Sequence, residues 1–434
     1  MHRSLTSVWN NGLSQVMCRT GLLLEDKCSW SKVGPQVIKY GRTCLVVVDD
    51  DERARGHAER PLFELRKVGI NCATFTARGV YPTADIIDEA RNMARRVGAA
   101  SIVGIGGGGV IDVAKATAKL HGSSGPCKLY LESPGSALLG KGEYNGPPTP
   151  QGERLPLVML PTSAGAGAYG NERCLVWHPE DEILVPMAES PGERHTVSVA
   201  LVDPSLCTSL SREQTVTMAV TALSACVDTL LAYELGNASH SKVAELEHLK
   251  DLSMTGIGAV GEGLPHVLGR NDAKARELLT AASLCAGQAS AMASATLLPT
   301  QFLARAAGSL LCRHSYPSVC AAVFPHAIRG LADGADPFSR DSETSEAIRR
   351  ALSGASSALL GEGSNMEALL SWVEKYERSS QVEATCLSAL DSSLTVSEVV
   401  TNMEQLLALE KDTRAADRLW AGDEIRNIAE QAVG

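Results

Sequence analysis

Short apolar runs alternate with segments of helical periodicity in the first half of the chain. Strands are predicted at the apolar runs 45–48, 72–75, 101–105, 157–160, 173–177 and 199–202, with an edge strand near 22–24 before them. Helices are predicted between the runs, over 59–68, 85–97 and 110–120. Strands that alternate with helices form a parallel sheet covered by helices on its faces. A Pro- and Gly-rich stretch, 133–153, predicts an exposed loop.

The pattern changes near residue 205. After it, apolar residues recur three and four positions apart and alanine is abundant. Helices are predicted over 212–236, 240–260, 273–297, 316–332, 342–360, 365–377, 395–410 and 420–432. We therefore predict an N-terminal extension over 1–20, an α/β domain over 21–205 and an all-helical domain over 206–434. A ligand cleft is expected between the two domains.

A glycine-rich turn follows the apolar run 101–105. It consists of Gly106, Gly107, Gly108 and Gly109, and a helical pattern begins directly after it. Glycines let a ligand approach the backbone closely, and the N–H groups and dipole of a helix N-terminus favour an anion. The turn therefore predicts a phosphate or pyrophosphate site, which makes 21–205 a dinucleotide-binding domain.

Two common nucleotide motifs do not fit this turn. The residues Gly104, Gly106 and Gly109 match G-x-G-x-x-G formally, but this fingerprint should follow the first strand of its domain. The first clear strand instead ends in the acidic run 49–51. No Gly-Lys-Ser/Thr follows the glycines, which excludes a nucleotide triphosphatase loop. A dinucleotide site of a different build is predicted.

Four segments, taken in order, resemble the iron-containing (group III) alcohol dehydrogenase family. The glycine turn with Asp112 and Lys115 resembles the family's G-G-G-S-x-x-D-x-x-K, with Gly109 in place of the serine. The segment 160–168 is similar to P-T-T-A-G-T-G-S, 200–204 to the D-P turn, and 324–327 to L-P-H. The resemblance implies the dehydroquinate synthase-like architecture, in which an α/β nucleotide-binding domain precedes an all-helical one.

The same resemblance implies roles for several residues in binding NAD. Asp49 ends the first clear strand, where the family has an acidic residue that faces the adenosine ribose. A carboxylate there accepts hydrogen bonds from the ribose hydroxyls and repels a 2′-phosphate, so NAD is expected and NADP is the less favoured cofactor. Thr162 and Ser163 follow a strand and can reach phosphate or nicotinamide; capping of a helix is their alternative role. Asp112 is included among the cofactor residues, whereas Lys115 could equally lie on a solvated helix face.

The expected metal site is incomplete in this sequence. The resemblance implies Fe²⁺ or Zn²⁺ held by one Asp and three His, and Asp228 and His314 are the matching ligands. Ala232, or Leu231 in a shifted register, stands where the second ligand is expected, and Gln301 and Arg305 stand near the third. Divalent metals need three or four protein ligands. We therefore predict far less than one tightly bound metal ion per chain, with His240, His248 and His266 to examine if metal is bound.

Composition narrows the class of partner and the cellular location. The 434 residues carry a formal net charge of −10, which gives no basic surface for nucleic acid. The best apolar window, 215–236, contains Asp228, so no membrane span is expected. Twelve scattered cysteines without a C-x-x-C pair indicate reduced thiols and a cytoplasmic protein. The first 24 residues lack Asp and Glu and contain two arginines, so a mitochondrial targeting segment is the alternative. A homodimer is also left open.

Three functions remain open from the sequence. The first is an NAD(P)-dependent oxidoreductase of the alcohol dehydrogenase type that moves a hydride between nicotinamide and a small alcohol, aldehyde or oxo-acid, with a degraded or absent metal site. The second is an NAD-binding relative with impaired catalysis. The third is a maleylacetate-reductase-like or synthase-type enzyme. No residue is assigned as catalytic from the sequence, because fold analogy does not fix function.

Overall fold

The computed structural model of the protein describes most of the chain. The described residues are 21–24, 29–50, 52–79, 81–132, 147–178, 183–187, 198–236, 243–292, 299–307, 314–333, 342–380, 382, 387–390, 392–407 and 423–433. The predicted extension 1–20, most of the predicted loop (133–146) and His240 lie outside these residues.

A six-stranded parallel sheet forms the centre of the first part, with strand order β1-β8-β5-β4-β2-β3. Its strands are β1 (Gly21–Leu24), β2 (Thr43–Asp49), β3 (Asn71–Ala77), β4 (Ser101–Gly106), β5 (Leu157–Pro161) and β8 (Ser198–Val202). The helices are α1 (Val33–Val37), α2 (Glu52–Lys67), α3 (Ala84–Arg96) and α4 (Gly108–Leu120). The predicted α/β class is confirmed, including the edge strand near 22–24.

Burial of both faces explains why the central strands are continuous apolar runs. In β2, Leu45 and Val47 pack into the larger core, which also includes the helices after residue 210. Val46 and Val48 point the other way, into a smaller core shared with α1 and α2. Alternate residues of a strand point to opposite faces, so a strand covered on both faces needs apolar residues at every position.

One predicted strand of the parallel sheet lies elsewhere. The run 173–177 forms β6 (Leu175–His178), which pairs antiparallel with β7 (Ile183–Pro186) in a separate two-stranded sheet. Its prediction as part of the parallel sheet is therefore wrong. The four-residue β7 gave no clear signal because so short an apolar run has no measurable period.

Within the described residues, only helices follow Val202 among the regular elements, apart from short 3₁₀ turns. They are α5 (Arg212–Glu234), α6 (Val243–Arg270), α7 (Ala273–Met292), α8 (Pro299–Ala306), α9 (Tyr316–Asp333), α10 (Ser342–Leu360), α11 (Met366–Ser379), α12 (Leu387–Leu390), α13 (Val396–Leu407) and α14 (Asp423–Val433). The predicted helical character of this part is confirmed. The α6 helix runs beyond its predicted end at 260. The α8 helix, which begins at a proline, and the four-residue α12 were not predicted.

The α5 helix runs through the centre of the helical part. The Ser211 hydroxyl accepts a hydrogen bond from the Gln214 N–H, and the Gln214 side-chain oxygen accepts one from the Ser211 N–H, which is a complete capping box. The helix is long and apolar enough by composition to cross a membrane, but nearly all of that stretch is buried inside the fold. Its uniform apolar character is thus that of a core helix surrounded by other helices.

Candidate functional site

The glycines at the junction of β4 and α4 divide into two kinds according to their surroundings. A Cβ atom on Gly106 would lie 2.7 Å from Cβ of Val110, so glycine is needed there for the helix to begin directly after the strand. Gly107 is the N-cap residue of α4, and a Cβ there would meet only the Ser163 hydroxyl, at 3.6 Å. On Gly108 a Cβ would meet nothing closer than 3.7 Å. Gly107 and Gly108 therefore leave the helix N-terminus open to a ligand.

A cavity of about 710 Å³ opens in front of this turn. Seven of the eight residues predicted to bind the cofactor line it: Asp49, Gly107, Gly108, Gly109, Asp112, Thr162 and Ser163. Gly106, the eighth, is not among the lining residues, consistent with its packing against α4. The cavity also reaches residues of α8 and the start of α9. The carboxyl ends of β2, β4 and β5 and the helical part thus surround one space, which is where open α/β sheets bind ligands.

Main-chain pairing beyond the ends of the strands positions the Thr162–Ser163 pair. The Thr162 N–H donates to the Gly106 carbonyl at 2.9 Å, which continues the β4–β5 pairing past Pro161. Thr162 is buried, and Ser163 lies beside Gly107. Their predicted role toward phosphate or nicotinamide remains a prediction, with their placement on the cavity wall in its favour.

Lys115 is buried, so the solvated helix face considered for it is wrong. Its ammonium donates to the Asp112 carboxylate at 2.9 Å and to the Arg173 carbonyl at 2.7 Å. Asp112 also accepts from the Leu175 N–H at 3.3 Å. Burial raises the pKa of Asp112, and the neighbouring Lys115 opposes that rise. These contacts of Lys115 with Asp112 and Arg173 form the Lys115 junction, which ties α4 to the chain that leads into β6. The contact of Asp112 with the cofactor stays a prediction.

Asp228 is enclosed by the fold and does not line the cavity. Its carboxylate is fully buried and accepts three hydrogen bonds at the start of α8: from the Thr300 hydroxyl at 2.9 Å, the Thr300 N–H at 3.3 Å and the Gln301 N–H at 3.1 Å. Burial raises its pKa to about 7, and these hydrogen bonds oppose the rise. Asp228 thus satisfies the unpaired N–H groups of the α8 N-terminus.

Among the described residues, the groups around Asp228 do not make up a divalent metal site. Both carboxylate oxygens of Asp228 already bind the start of α8, and Ala232, one turn further along α5, offers no ligand atom. Arg305, one turn after Gln301 on α8, is a buried cation that lines the cavity. His314 does not line the cavity, although the Tyr81 hydroxyl donates to its carbonyl at 2.6 Å. Within the described ranges, no group of three His, Cys, Asp or Glu side chains could hold a metal.

His248 and His266, two of the three histidines considered as further metal ligands, lie in described parts of the chain. His266 is exposed on α6, with Nδ1 bonded to the Glu262 carbonyl of its own helix at 2.7 Å. His248 is half-buried on the same helix, and burial lowers its pKa. Neither lines the cavity. They therefore do not complete a metal site together with Asp228.

The sequence reasoning missed two buried or half-buried arginines of the cavity wall, in addition to the exposed Arg78. Arg305 of α8 and Arg173, between the glycine-rich segment 163–167 and β6, both line the space. Arg305 had been assigned only to a missing metal ligand, and Arg173 had no motif around it. They come from segments more than a hundred residues apart, and no local pattern signals such a meeting.

A known protein family matches the first part of the chain. Residues 23–204 match the family model described as iron-containing alcohol dehydrogenase. The NAD-dependent methanol dehydrogenase of Bacillus methanolicus is 23% identical over 260 residues, which cover 59% of this chain and 61% of the relative. The 4-hydroxybutyrate dehydrogenase of Cupriavidus necator is 26% identical over 204 residues, 44% of this chain and 46% of the relative. These alignments thus span less than two thirds of either relative.

Solved structures show the same fold over nearly the whole chain. An archaeal halo-thermophilic alcohol dehydrogenase from a Red Sea brine pool superposes with a TM-score of 0.74 and 17% identity, covering 95% of this chain and 97% of its own. The NADH-dependent butanol dehydrogenase A of Thermotoga maritima superposes with a TM-score of 0.69 and 18% identity, covering 96% of this chain and 97% of its own. The family match over 23–204, the relatives and the ordered motifs agree that this part of the chain is similar to iron-containing alcohol dehydrogenases, and the solved structures show the same fold over nearly the whole chain.

Proposed function

We propose that the protein is an NAD(H)-dependent oxidoreductase that moves a hydride between the nicotinamide and a small alcohol, aldehyde or oxo-acid. The observation that carries this proposal is the open glycine turn at the α4 N-terminus, which faces a cavity of about 710 Å³ shared with the helical part. A cavity of this volume lies within the usual range for small-molecule and cofactor sites. The names of the relatives, which include NAD-dependent and NADH-dependent dehydrogenases, support the same assignment.

The chain's own groups account for cofactor binding in this proposal. The first N–H groups of α4 have no partner within the helix and point toward the cavity, where they would bind the pyrophosphate. Asp49 lines the cavity at the end of β2 and would accept hydrogen bonds from the ribose hydroxyls, which favours NAD over NADP. Thr162 and Ser163 line the wall beside the turn and would contact the phosphate or the nicotinamide.

The bound cofactor supplies the hydride, and the cavity orients the substrate and limits water. In the reductive direction, the carbonyl carbon gains a hydride and the carbonyl oxygen gains a proton from solvent. The products are an alcohol and NAD⁺. Positioning of the carbonyl beside the nicotinamide is the contribution expected from the cavity walls.

We propose further that this activity does not use a tightly bound iron or zinc ion. Asp228 is engaged at the start of α8, and Arg305, on the same helix as Gln301, carries a buried positive charge. Each missing ligand must be replaced by water, which weakens a divalent site strongly. The iron or zinc content of the purified protein should therefore be far below one per chain.

Three measurements on the purified full-length protein test these proposals. NADH and NADPH fluorescence titrations should show binding, with NADH preferred. Metal analysis should show little iron or zinc, and turnover of a panel of small aldehydes and oxo-acids should survive a chelator. Failure to bind NADH would overturn the oxidoreductase assignment. NADH binding without turnover would instead identify an NAD-binding relative with impaired catalysis, and stoichiometric metal with chelator-sensitive turnover would overturn the metal-free proposal.

Several further proposals accompany this function. We propose domain limits of 21–205 and 206–434, which agree with the change from strands to helices after Val202. Cytoplasmic location and the homodimer stay predictions, as does the mitochondrial alternative. Fluorescent fusions of the full chain with and without residues 1–20 would separate the two locations, and sedimentation would give the oligomeric state.

A further inference from the structure

We propose that a cationic subsite in the cavity binds a carboxylate of the substrate, so that the preferred substrates are small oxo-acids and their hydroxy-acid products. The cationic subsite consists of Arg173, Ser290, Gln301, Arg305 and Tyr316, all of which line the cavity. This inference rests on the proposed oxidoreductase function and names its substrate class. It also assigns a role to the wall that lacks a metal site.

The α8 helix brings two members of the cationic subsite to the same wall. Gln301 and Arg305 are four residues apart, so they lie on one face of the helix, one turn from each other. Arg305 is only 6% exposed, and its Nε donates to the Leu184 carbonyl at 3.0 Å. That hydrogen bond to the β6–β7 sheet fixes the plane of the guanidinium at the cavity wall.

Ser290 of α7 joins the second guanidinium to α8. The Arg173 Nη1 donates to the Ser290 carbonyl at 2.8 Å, and its Nη2 donates to the Ala291 carbonyl at 3.3 Å. The Gln301 side-chain amide donates to the Ser290 hydroxyl at 3.3 Å. Arg173 and Gln301 therefore meet at one residue, which places the two arginines around the same part of the cavity.

The arginines of the cationic subsite share the cavity with three acidic side chains. Asp112 carries the Lys115 ion pair, Asp49 lies at the end of β2, where the ribose is expected, and Glu132 also lines the cavity. Asp228 accepts hydrogen bonds at the start of α8 and is not among the residues that line the cavity. Arg305 stays charged at every physiological pH, and charges in a partly dry cavity interact more strongly than in water.

A carboxylate suits the cationic subsite better than a neutral oxygen does. A guanidinium is planar and offers parallel N–H donors that match the two oxygens of a carboxylate. The Gln301 amide and the Tyr316 hydroxyl add polar groups that can hydrogen-bond an oxygen. The pyrophosphate of the cofactor is assigned to the turn at Gly107 and Gly108, which leaves the cationic subsite for the substrate.

The redox step balances without a further reactant. With NADH bound, its hydride would pass to the carbonyl carbon of the oxo-acid and a solvent proton to the carbonyl oxygen, which would give the hydroxy-acid and NAD⁺. The carboxylate does not react, and its contacts with Arg305 and Arg173 orient the carbonyl. The cationic subsite thus acts by positioning.

The test compares 4-oxobutanoate with its uncharged methyl ester in NADH oxidation by the full-length protein. The wild type should prefer the acid in kcat/KM by about 100-fold or more, the range expected from a bidentate charged pair. Arg305→Met should remove this preference. The Kd for NADH should change less than about twofold, because Arg305 is assigned to the substrate and not to the cofactor. Arg96→Met, the same substitution at an exposed position of α3, should keep the preference.

Each outcome has a separate meaning. If the wild type binds NADH and reduces both compounds equally well, the cationic subsite does not bind the substrate carboxylate and the inference is wrong, although the proposed function stands. If NADH is not bound at all, the proposed function itself fails. Succinate should raise the melting temperature of the wild type with NADH present and not that of Arg305→Met. This readout needs no turnover, and the acid-to-ester comparison on the wild type needs no variant to fold.

Discussion

Replacement of Gly107 by valine would test the glycine turn where the structure leaves it open. Gly107 lies in extended backbone, with φ of −73° and ψ of −176°, a conformation that valine adopts without strain. A Cβ there would meet the Ser163 hydroxyl only at 3.6 Å. The two methyl groups would therefore fit the folded protein but fill the space in front of the α4 N-terminus.

The expected loss follows from the hydrogen bonds that a phosphate would make in that space. A phosphate oxygen must come within about 2.9 Å of a backbone nitrogen, which the valine methyl groups would prevent. Two hydrogen bonds to a charged group contribute about 1.5–3 kcal/mol each, so their loss corresponds to ~3–6 kcal/mol. The Kd for NADH should therefore rise by about 10²–10⁴-fold.

Fluorescence titration of NADH, with circular dichroism to confirm folding, measures this effect. Gly56→Val is the matched control, because Gly56 lies on the exposed face of α2 with nothing within 4 Å of a Cβ. It should leave the NADH affinity unchanged. A folded Gly107→Val protein that binds NADH as tightly as the wild type would refute the assignment of the turn to the pyrophosphate.

Three further predictions concern stability. Asp228→Ala should lower the free energy of unfolding by about 2–4 kcal/mol in urea titrations, since it leaves buried N–H groups of α8 without an acceptor; a loss of bound iron or zinc would instead indicate a metal ligand. Burial raises the pKa of Glu377 to about 8 from 4.5, so the folded protein keeps a proton that the unfolded chain loses, and stability should fall as pH rises between these values. Glu377→Gln should remove this fall in melting temperature, whereas Glu367→Gln at an exposed position should retain it. Gly287→Ala should destabilise by about 1–3 kcal/mol or more because its Cβ would overlap the backbone of the segment 163–167, whereas Gly269→Ala, in open space, should be neutral or stabilising in the same melts.

Periodicity predicted the layers of the fold because the layers depend on local patterns. Strands buried on both faces are continuous apolar runs, and β2, β4 and β5 were found where such runs occur. β7 and α8 were missed because four and eight residues are too few to display a period. The partner of β6 could not be predicted either, because antiparallel pairing with β7 depends on contacts beyond both strands.

The candidate site was predictable only where the residues lie in one motif. The glycine turn and Thr162–Ser163 were found from their positions at strand ends, and the structure brings them to one cavity. The burial of Lys115 was missed, because which face of α4 is covered depends on the chain around Arg173. The convergence of Arg173 and Arg305 depends on the packing of α7 and α8 and has no signal in either local sequence.

The Lys115 junction joins two parts of the cavity wall, the α4 helix and the segment around Arg173. One ammonium group holds Asp112 in α4, the helix whose N-terminus faces the expected cofactor, and the main-chain carbonyl of Arg173, whose side chain belongs to the cationic subsite. One buried cation thus contacts both sides, and we expect a ligand that orders either side to restrain the other. Linkage requires such coupling to be reciprocal: if NADH tightens the binding of an acid, the acid tightens the binding of NADH by the same factor. Lys115→Met would uncouple the two affinities while leaving both sets of contacting groups in the chain.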